Sequence, residues 1–283
     1  MSLHPVQIPN LSRIAAELGQ QLSDVLALSF NAQNEVRRFL RTHVSQEVPY
    51  PTGYHFGLGI SNDAGDTAHD IAVAVGRCRN VADDANVILE TAITKQIDAV
   101  FAGGTDAGGM FTGSVAADTM YFVFLIEHDD GTVDVGFDTS NDGDNAPANY
   151  TAVCYLGVVF TDGSANILNF LRQRNFFRFL TPNEDVIDAS VSSTWETGTA
   201  TAPPNALAQI AVYGDSGVAL ASVRPIGALD STTQGDGQMI DSQKSGHGMV
   251  LLNDDKQFEY MENGGASNLS IWTIGYWDMR LNG

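Results

Sequence analysis

The hydrophobic pattern of this chain changes its period once, and the change restricts the folds open to it. Before residue 48 apolar side chains recur every three to four residues without a proline after residue 9, as in an amphipathic helix. Pro49 and Pro51 then end that helix, because it cannot continue through two prolines in three residues. Beyond the break apolar residues alternate with a period of two, which is typical of strands. The sequence therefore predicts an N-terminal α-helix followed by a mainly β chain.

The predicted helix carries an apolar stripe that could pack on a partner. Its members lie seven residues apart or fill a second row beside that spacing: Leu11, Ile14, Leu18, Leu22, Val25, Leu28, Ala32, Val36 and Phe39. Such a stripe packs a helix on its own domain, joins copies in a bundle, or anchors the chain in a neighbouring protein. We expect residues 1–48 to serve anchoring and oligomerisation, which makes the chain a homo-oligomer.

Short strands separated by turn residues are predicted over the rest of the chain. Met120–Ile126 is apolar on both faces, as in a central strand, and the Asp130-Gly131 pair that follows predicts a hairpin turn. Val87–Thr94 is predicted as a single strand. Many short strands with frequent turns favour an antiparallel, jelly-roll-like β-sandwich.

The β part of the chain divides at about Pro182, where strands become shorter and connections longer. We expect residues 49–181 to form a β-sandwich domain and residues 182–283 to form a second β region. That region either stands alone or completes the same sandwich, and Thr194–Asn205 is predicted to be a loose connection within it.

Charge and composition exclude several classes of protein. The 283 residues include 34 acidic and 14 basic side chains, which gives a net charge of −20 and no basic surface for nucleic acid or anionic lipid. The apolar runs are too short to span a bilayer, and no secretory signal peptide is visible. The two cysteines, Cys78 and Cys154, are either buried thiols or a bridged or reactive pair.

No arrangement of residues predicts catalysis. The six histidines are scattered, without the spacing of a zinc site, and the chain lacks the Gly-x-Ser-x-Gly motif of many hydrolases. The glycine-rich stretch Gly103–Gly109 lacks the Gly-Lys-Ser/Thr of a phosphate loop and is predicted to be a mobile surface loop. We therefore expect a protein that is not an enzyme and needs no cofactor, with calcium as the one exception to consider.

That exception is the turn that follows a predicted strand at Asp138. Asp138, Ser140 and Asp142 place oxygen ligands at positions one, three and five, and Gly143 follows, as in the first half of a calcium loop. Position twelve is Asn149 instead of glutamate. A hydrogen-bonded turn built by Asp and Asn side chains explains the same residues, so both interpretations stay open.

Aromatic residues near the end of the chain form a second candidate surface. Trp272, Tyr276 and Trp277 lie within one predicted strand, and strict alternation places Trp272 and Tyr276 on one face and Trp277 on the other. Such residues stack on sugar rings, or belong to a core or a subunit interface.

Part of the chain resembles a family of virion proteins of tailed phages. The resemblance covers about residues 110–180, and the closing strand is also similar. Its stretches are Gly136–Ser140, Pro147, Tyr150-Thr151, Leu156-Gly157, Thr161–Ile167, Phe170 and Gly275–Arg280. The family comprises tail-fibre, receptor-binding and head-fibre components, together with head spikes of gene transfer agents.

The resemblance implies a structural protein on the exterior of a phage or phage-like particle, made in the host cytoplasm. A head spike, a head fibre or a tail-fibre component would each fit. Its N-terminal helix would bind other virion proteins or copies of the chain, and its β region would contact host-surface polysaccharide. The alternatives are a polysaccharide-degrading enzyme and a non-viral carbohydrate-binding adhesin.

Overall fold

The computed structural model describes residues 49–188, 193–214, 221–228, 238–240, 245–262 and 269–281, and these form a mainly β protein. No α-helix occurs within those ranges, and only Met279–Leu281 forms a 3₁₀ turn there. The strands are β1 His55–Gly57, β2 Ile60–Asn62, β3 Asp70–Val73, β4 Gly76–Arg79, β5 Asn86–Leu89, β6 Ile93–Val100, β7 Ala107–Met110, β8 Met120–His128, β9 Val133–Asp138, β10 Tyr150–Phe160, β11 Phe170–Gln173, β12 Phe176–Asp188, β13 Glu196–Thr199, β14 Leu207–Gly214, β15 Ala221–Pro225, β16 Gln238–Ile240, β17 Ser245–Leu251, β18 Gln257–Glu262 and β19 Leu269–Trp277.

A seven-stranded sheet with the order β10-β8-β9-β7-β6-β3-β2 is the largest unit. The predicted central strand is confirmed as β8, in which Tyr121–Ile126 are all at most 4% exposed. The predicted hairpin is also confirmed, because β8 and β9 pair antiparallel around the turn that contains Gly131, whose φ is +85°. Both features follow from local patterns, namely an apolar run and an Asp-Gly pair.

The segment predicted as one strand, Val87–Thr94, is two strands in different sheets. β5 ends at Leu89 and belongs to a three-stranded sheet with the order β1-β4-β5, whereas β6 begins at Ile93 and belongs to the seven-stranded sheet. Glu90, Thr91 and Ala92 between them are exposed. The chain thus leaves one sheet for the other through three exposed residues, which apolar periodicity alone does not reveal.

The glycine-rich stretch is not a loose loop along its whole length, because its second half is β7, which pairs parallel with β6 and β9. A Cβ on Gly108 would lie 2.0 Å from the carbonyl oxygen of Val100, and one on Gly109 would lie 2.8 Å from the ring of Phe137. Glycine is therefore required here for the close approach of neighbouring strands.

The C-terminal part contains a five-stranded sheet with the order β11-β12-β19-β14-β17 and a four-stranded sheet with the order β13-β18-β15-β16. Glu196–Thr199, within the predicted loose connection, is β13. Strand β12 runs through Pro182, the position of the predicted boundary, and one continuous cluster of buried residues extends from Leu58 to Tyr276. The two β regions therefore share a core.

The predicted helical stripe, Leu11 to Phe39, lies outside the described residues and stays a prediction. Among the residues that are described, no helix is long and apolar enough to cross a membrane.

Candidate binding face on the five-stranded sheet

One face of the five-stranded sheet packs on the core, and its other face is outward and rich in apolar side chains. Of the twelve large hydrophobic residues exposed in the described part of the chain, six lie on this outer face. They are Leu171, Leu180, Ile187, Tyr213, Met249 and Leu251. Because contiguous exposed apolar surface is uncommon on a soluble monomer, this face is the best candidate for contact with a ligand or partner.

The register of the sheet aligns the side chains of this face in rows. Directly opposed residues in antiparallel strands share a face, so each row can be read across the strands. One row is Leu251, Leu207, Trp277, Phe176 and Gln173. The next is Met249, Gln209, Gly275, Arg178 and Leu171, followed by His247, Ala211, Trp272 and Glu184.

A β-bulge in β19 decides which aromatic residues share the outer face. Gly275 pairs with Gln209 but Thr273 pairs with the next residue of β14, so Ile274 is the extra residue. Ile274 is 4% exposed and Tyr276 is 1% exposed, whereas the two tryptophans are only partly buried. The expected arrangement is therefore wrong: Trp272 and Trp277 lie on the outer face, and Tyr276 points into the core.

Tyr276 has a structural position. Its ring stacks on Phe177 with centroids 5.0 Å apart, and its hydroxyl donates to the carbonyl oxygen of Val158 at 3.4 Å. Burial raises the pKa of Tyr276 well above its ordinary value, so the phenol is neutral. Tyr276 is thus not available to a ligand on the outer face.

Each tryptophan belongs to an aromatic pair on the outer face. The ring centroids of Trp277 and Phe176 are 4.4 Å apart, and those of Trp272 and Tyr213 are 6.4 Å apart in an edge-to-face arrangement. The backbone positions of the two tryptophans are about 13 Å apart along the strand, since a strand rises about 3.3 Å per residue and the bulge removes one residue from the ladder. The face therefore presents two aromatic platforms in line along one strand.

Polar groups surround and separate these platforms. Arg178 is exposed beside Gly275, and Glu184 and His247 are exposed in the row of Trp272. The amide oxygen of Gln209, in the central row, is buried and accepts no hydrogen bond within the described part of the chain.

The predicted calcium turn is held by its own hydrogen bonds. The Asp138 carboxylate accepts the backbone N–H of Ser140 at 3.0 Å and two N–H groups of Asn145 at 3.1 and 2.7 Å. Ser140 Oγ accepts the N–H of Asp142 at 3.4 Å, and Asp142 itself is exposed. No group of three or more His, Cys, Asp or Glu side chains in the described ranges is placed to hold a metal ion. This geometry is that of an Asx-type turn.

Some of the motif residues that carry the family resemblance lie in strands β9, β10, β11 and β19, and others build turns. Asp162 accepts the N–H groups of Ser164 at 2.8 Å and Asn166 at 2.9 Å, and Thr161 forms an isolated bridge with Ile167. The resemblance in this region therefore concerns residues that determine the fold.

Sequence reasoning missed Phe176, Arg178 and Gln209, which lie on strands other than that of the tryptophans. Gln209 interrupts the alternating strand Leu207–Tyr213 as a polar residue, and that signal identifies it as outward-facing. Its position beside Gly275 depends on register, which local pattern does not specify.

The chain matches no known family model, no curated protein and no solved structure.

Proposed function

We propose that this chain is a structural protein on the exterior of a tailed-phage or phage-like particle, as a head spike, head fibre or tail-fibre component. The proposal rests on the resemblance of residues 110–180 and on a mainly β chain whose described turns use the motif residues. The sheets then pack as a jelly-roll-like sandwich, and residues 1–48 form the helix that joins the chain to copies of itself and to the particle.

The outer face of the five-stranded sheet binds host-surface polysaccharide in this proposal. The observation that carries it is the placement of Trp272 and Trp277 on one face by the bulge at Ile274. Indole rings offer flat apolar area to the C–H faces of sugars, and neighbouring polar groups hydrogen-bond the hydroxyls. Arg178 and Glu184, which are exposed, are those groups. Platforms whose backbone positions are about 13 Å apart fit a chain of several sugars along β19.

Location in a particle is the first test. Particles purified from the producing cells should contain this chain together with capsid protein, and antibody labelling should place it on the outside. Recovery of the chain only in the particle-free fraction would refute the virion assignment and favour a non-viral adhesin.

Polysaccharide binding is tested by titrating the purified full chain with host-surface polysaccharide. Trp272→Ala and Trp277→Ala should each weaken binding about tenfold, which corresponds to about 1.4 kcal/mol. Phe56→Ala is the matched control, since Phe56 is 61% exposed but belongs to the three-stranded sheet. Equal binding by all variants would refute the site, and a changed oligomeric state of the tryptophan variants would make the face a subunit interface. New reducing ends in the mixture would favour the enzyme alternative.

A further inference from the structure

The two cysteines of the chain, far apart in sequence, are both buried in the same core. Cys78 lies on β4 and Cys154 on β10, and the sequence contains no other cysteine. Both are free thiols, 1% and 8% exposed. Both belong to one continuous cluster of buried residues, although β4 lies in the three-stranded sheet and β10 in the seven-stranded sheet.

Backbone contacts fix the positions of the two segments that carry the cysteines. Cys78 pairs with His55 of β1 and Val87 of β5, so its strand is the central one of the small sheet. Three residues later, the N–H of Val81 donates to the carbonyl oxygen of Val153 at 3.0 Å. Val153 is the bulged residue that directly precedes Cys154 in β10. This hydrogen bond therefore holds the segment that follows Cys78 against the residue that precedes Cys154.

We propose that Cys78 and Cys154 are a disulfide-forming pair, which a small-molecule disulfide such as oxidised glutathione converts into a cross-link between β4 and β10. The Cys154 thiolate, the more exposed of the two, attacks a glutathione sulfur, forms a mixed disulfide and releases one glutathione thiolate. The Cys78 thiolate then attacks the Cys154 sulfur and releases the second glutathione. Each cysteine proton is taken up by a departing glutathione thiolate, and the oxidant is reduced by two electrons.

The burial of the pair determines the conditions of the reaction. The neighbouring Cys154 thiol and burial raise the pKa of the Cys78 thiol far above its ordinary value, so little thiolate forms in the folded chain. Oxidation is therefore slow in the native state and fast during refolding, when both sulfurs are accessible. Once formed, the bond closes a loop of more than seventy residues, which raises thermal stability by restricting the unfolded chain.

The test uses the full chain, reduced and unfolded, then refolded with a mixture of reduced and oxidised glutathione. Iodoacetamide is added in denaturant, and the mass is measured. We expect no alkylation, a mass lower than that of the reduced chain by two hydrogen atoms, and a proteolytic peptide that joins residues 78 and 154. Two alkyl groups, glutathione adducts without a cross-link, or disulfide-linked dimers would each overturn the proposal.

Thermal unfolding provides an independent readout. The oxidised wild-type chain should melt at a higher temperature than the same chain after treatment with dithiothreitol. Cys154→Ser, which retains Cys78, should show no such difference. An equal melting temperature for oxidised and reduced wild type would contradict a cross-link between two elements of the core.

Discussion

Lys95 and Asp134 form an ion pair inside the seven-stranded sheet, with Nζ and Oδ1 3.0 Å apart and side chains 0% and 2% exposed. The ammonium also donates to the carbonyl oxygens of Ala102 at 2.6 Å and Gly104 at 2.9 Å. The other carboxylate oxygen of Asp134 accepts the N–H of Gly104 at 2.8 Å. Through these hydrogen bonds the ion pair holds Ala102 and Gly104, at the start of the glycine-rich stretch, against the sheet.

Breaking the Lys95–Asp134 pair should destabilise the fold strongly. Lys95→Met leaves a buried carboxylate without its cation, which typically costs about 3–5 kcal/mol in the free energy of unfolding. Urea denaturation of wild type and variant measures this cost. The double variant Lys95→Met, Asp134→Leu should lose much less, because no charge is left unpaired. If the double variant instead lost the sum of the stabilities lost in the two single variants, the two side chains would not be energetically coupled.

Acid should destabilise the protein through His55. Burial, helped by the charge of Arg172, lowers the pKa of His55 from 6.5 to about 4, and its Nε2 has no hydrogen-bond partner among the described residues. His55 therefore binds a proton below about pH 6.5 in the unfolded chain, but only below about pH 4 in the folded chain. The stability present above pH 6.5 is lost as the pH falls through this window, by up to about 3 kcal/mol.

Thermal melts of wild type and His55→Gln at several pH values between 7 and 4 measure this effect. The variant should lose less stability on acidification than wild type does, because glutamine does not titrate. Parallel pH profiles would show that carboxylates alone account for acid sensitivity.

The hairpin β8–β9 could be predicted because an apolar run and an Asp-Gly pair are local signals. The polar Gln209 within an alternating strand is a local signal of the same kind, although it was missed as a site residue. The inward position of Tyr276 could not be predicted from the sequence, because the bulge at Ile274 is defined by the pairing of β19 with β14. The burial of Lys95 could not be predicted either, because it depends on an ion pair with Asp134, which lies on a different strand. Local periodicity thus predicts strands, whereas register and partner strands determine the candidate site.

Asp138 should stabilise its turn without calcium. Its carboxylate accepts hydrogen bonds from Ser140 and Asn145, and Asp138 is 1% exposed, so Asp138→Ala removes the acceptor of three hydrogen bonds. We expect a loss of about 2 kcal/mol in the free energy of unfolding, equal in EDTA and in calcium. Differential scanning calorimetry in both buffers measures this. A wild-type melting temperature that rises with calcium, but not in Asp138→Ala, would instead establish the predicted cation site.

The C-terminal turn should anchor the closing strand. Asp278 is 1% exposed, and its carboxylate accepts hydrogen bonds from the hydroxyl of Tyr155 and, at 3.1 Å, from the N–H of Arg280. Its own N–H donates to the backbone carbonyl oxygen of Asn175. Asp278→Ala leaves the buried hydroxyl of Tyr155 without an acceptor, and we expect a loss of about 2–3 kcal/mol on urea denaturation. Tyr155→Phe combined with Asp278→Ala should cost less than the sum of the single changes. Additive costs would show that the two side chains are independent.

The excess of acidic over basic side chains in this protein affects how its copies can assemble. Residues 1–48 contain four basic and four acidic side chains, so the whole net charge of −20 belongs to residues 49–283. Because like-charged β regions repel each other, the near-neutral N-terminal segment is the part suited to self-association. Light scattering should therefore show an oligomer for the full chain and a monomer when residues 1–48 are deleted. Leu18→Glu with Val25→Glu, which keeps the length, should have the same effect, whereas the polar change Gln20→Glu should not. An oligomer that survives the deletion would place the contact on the β region instead.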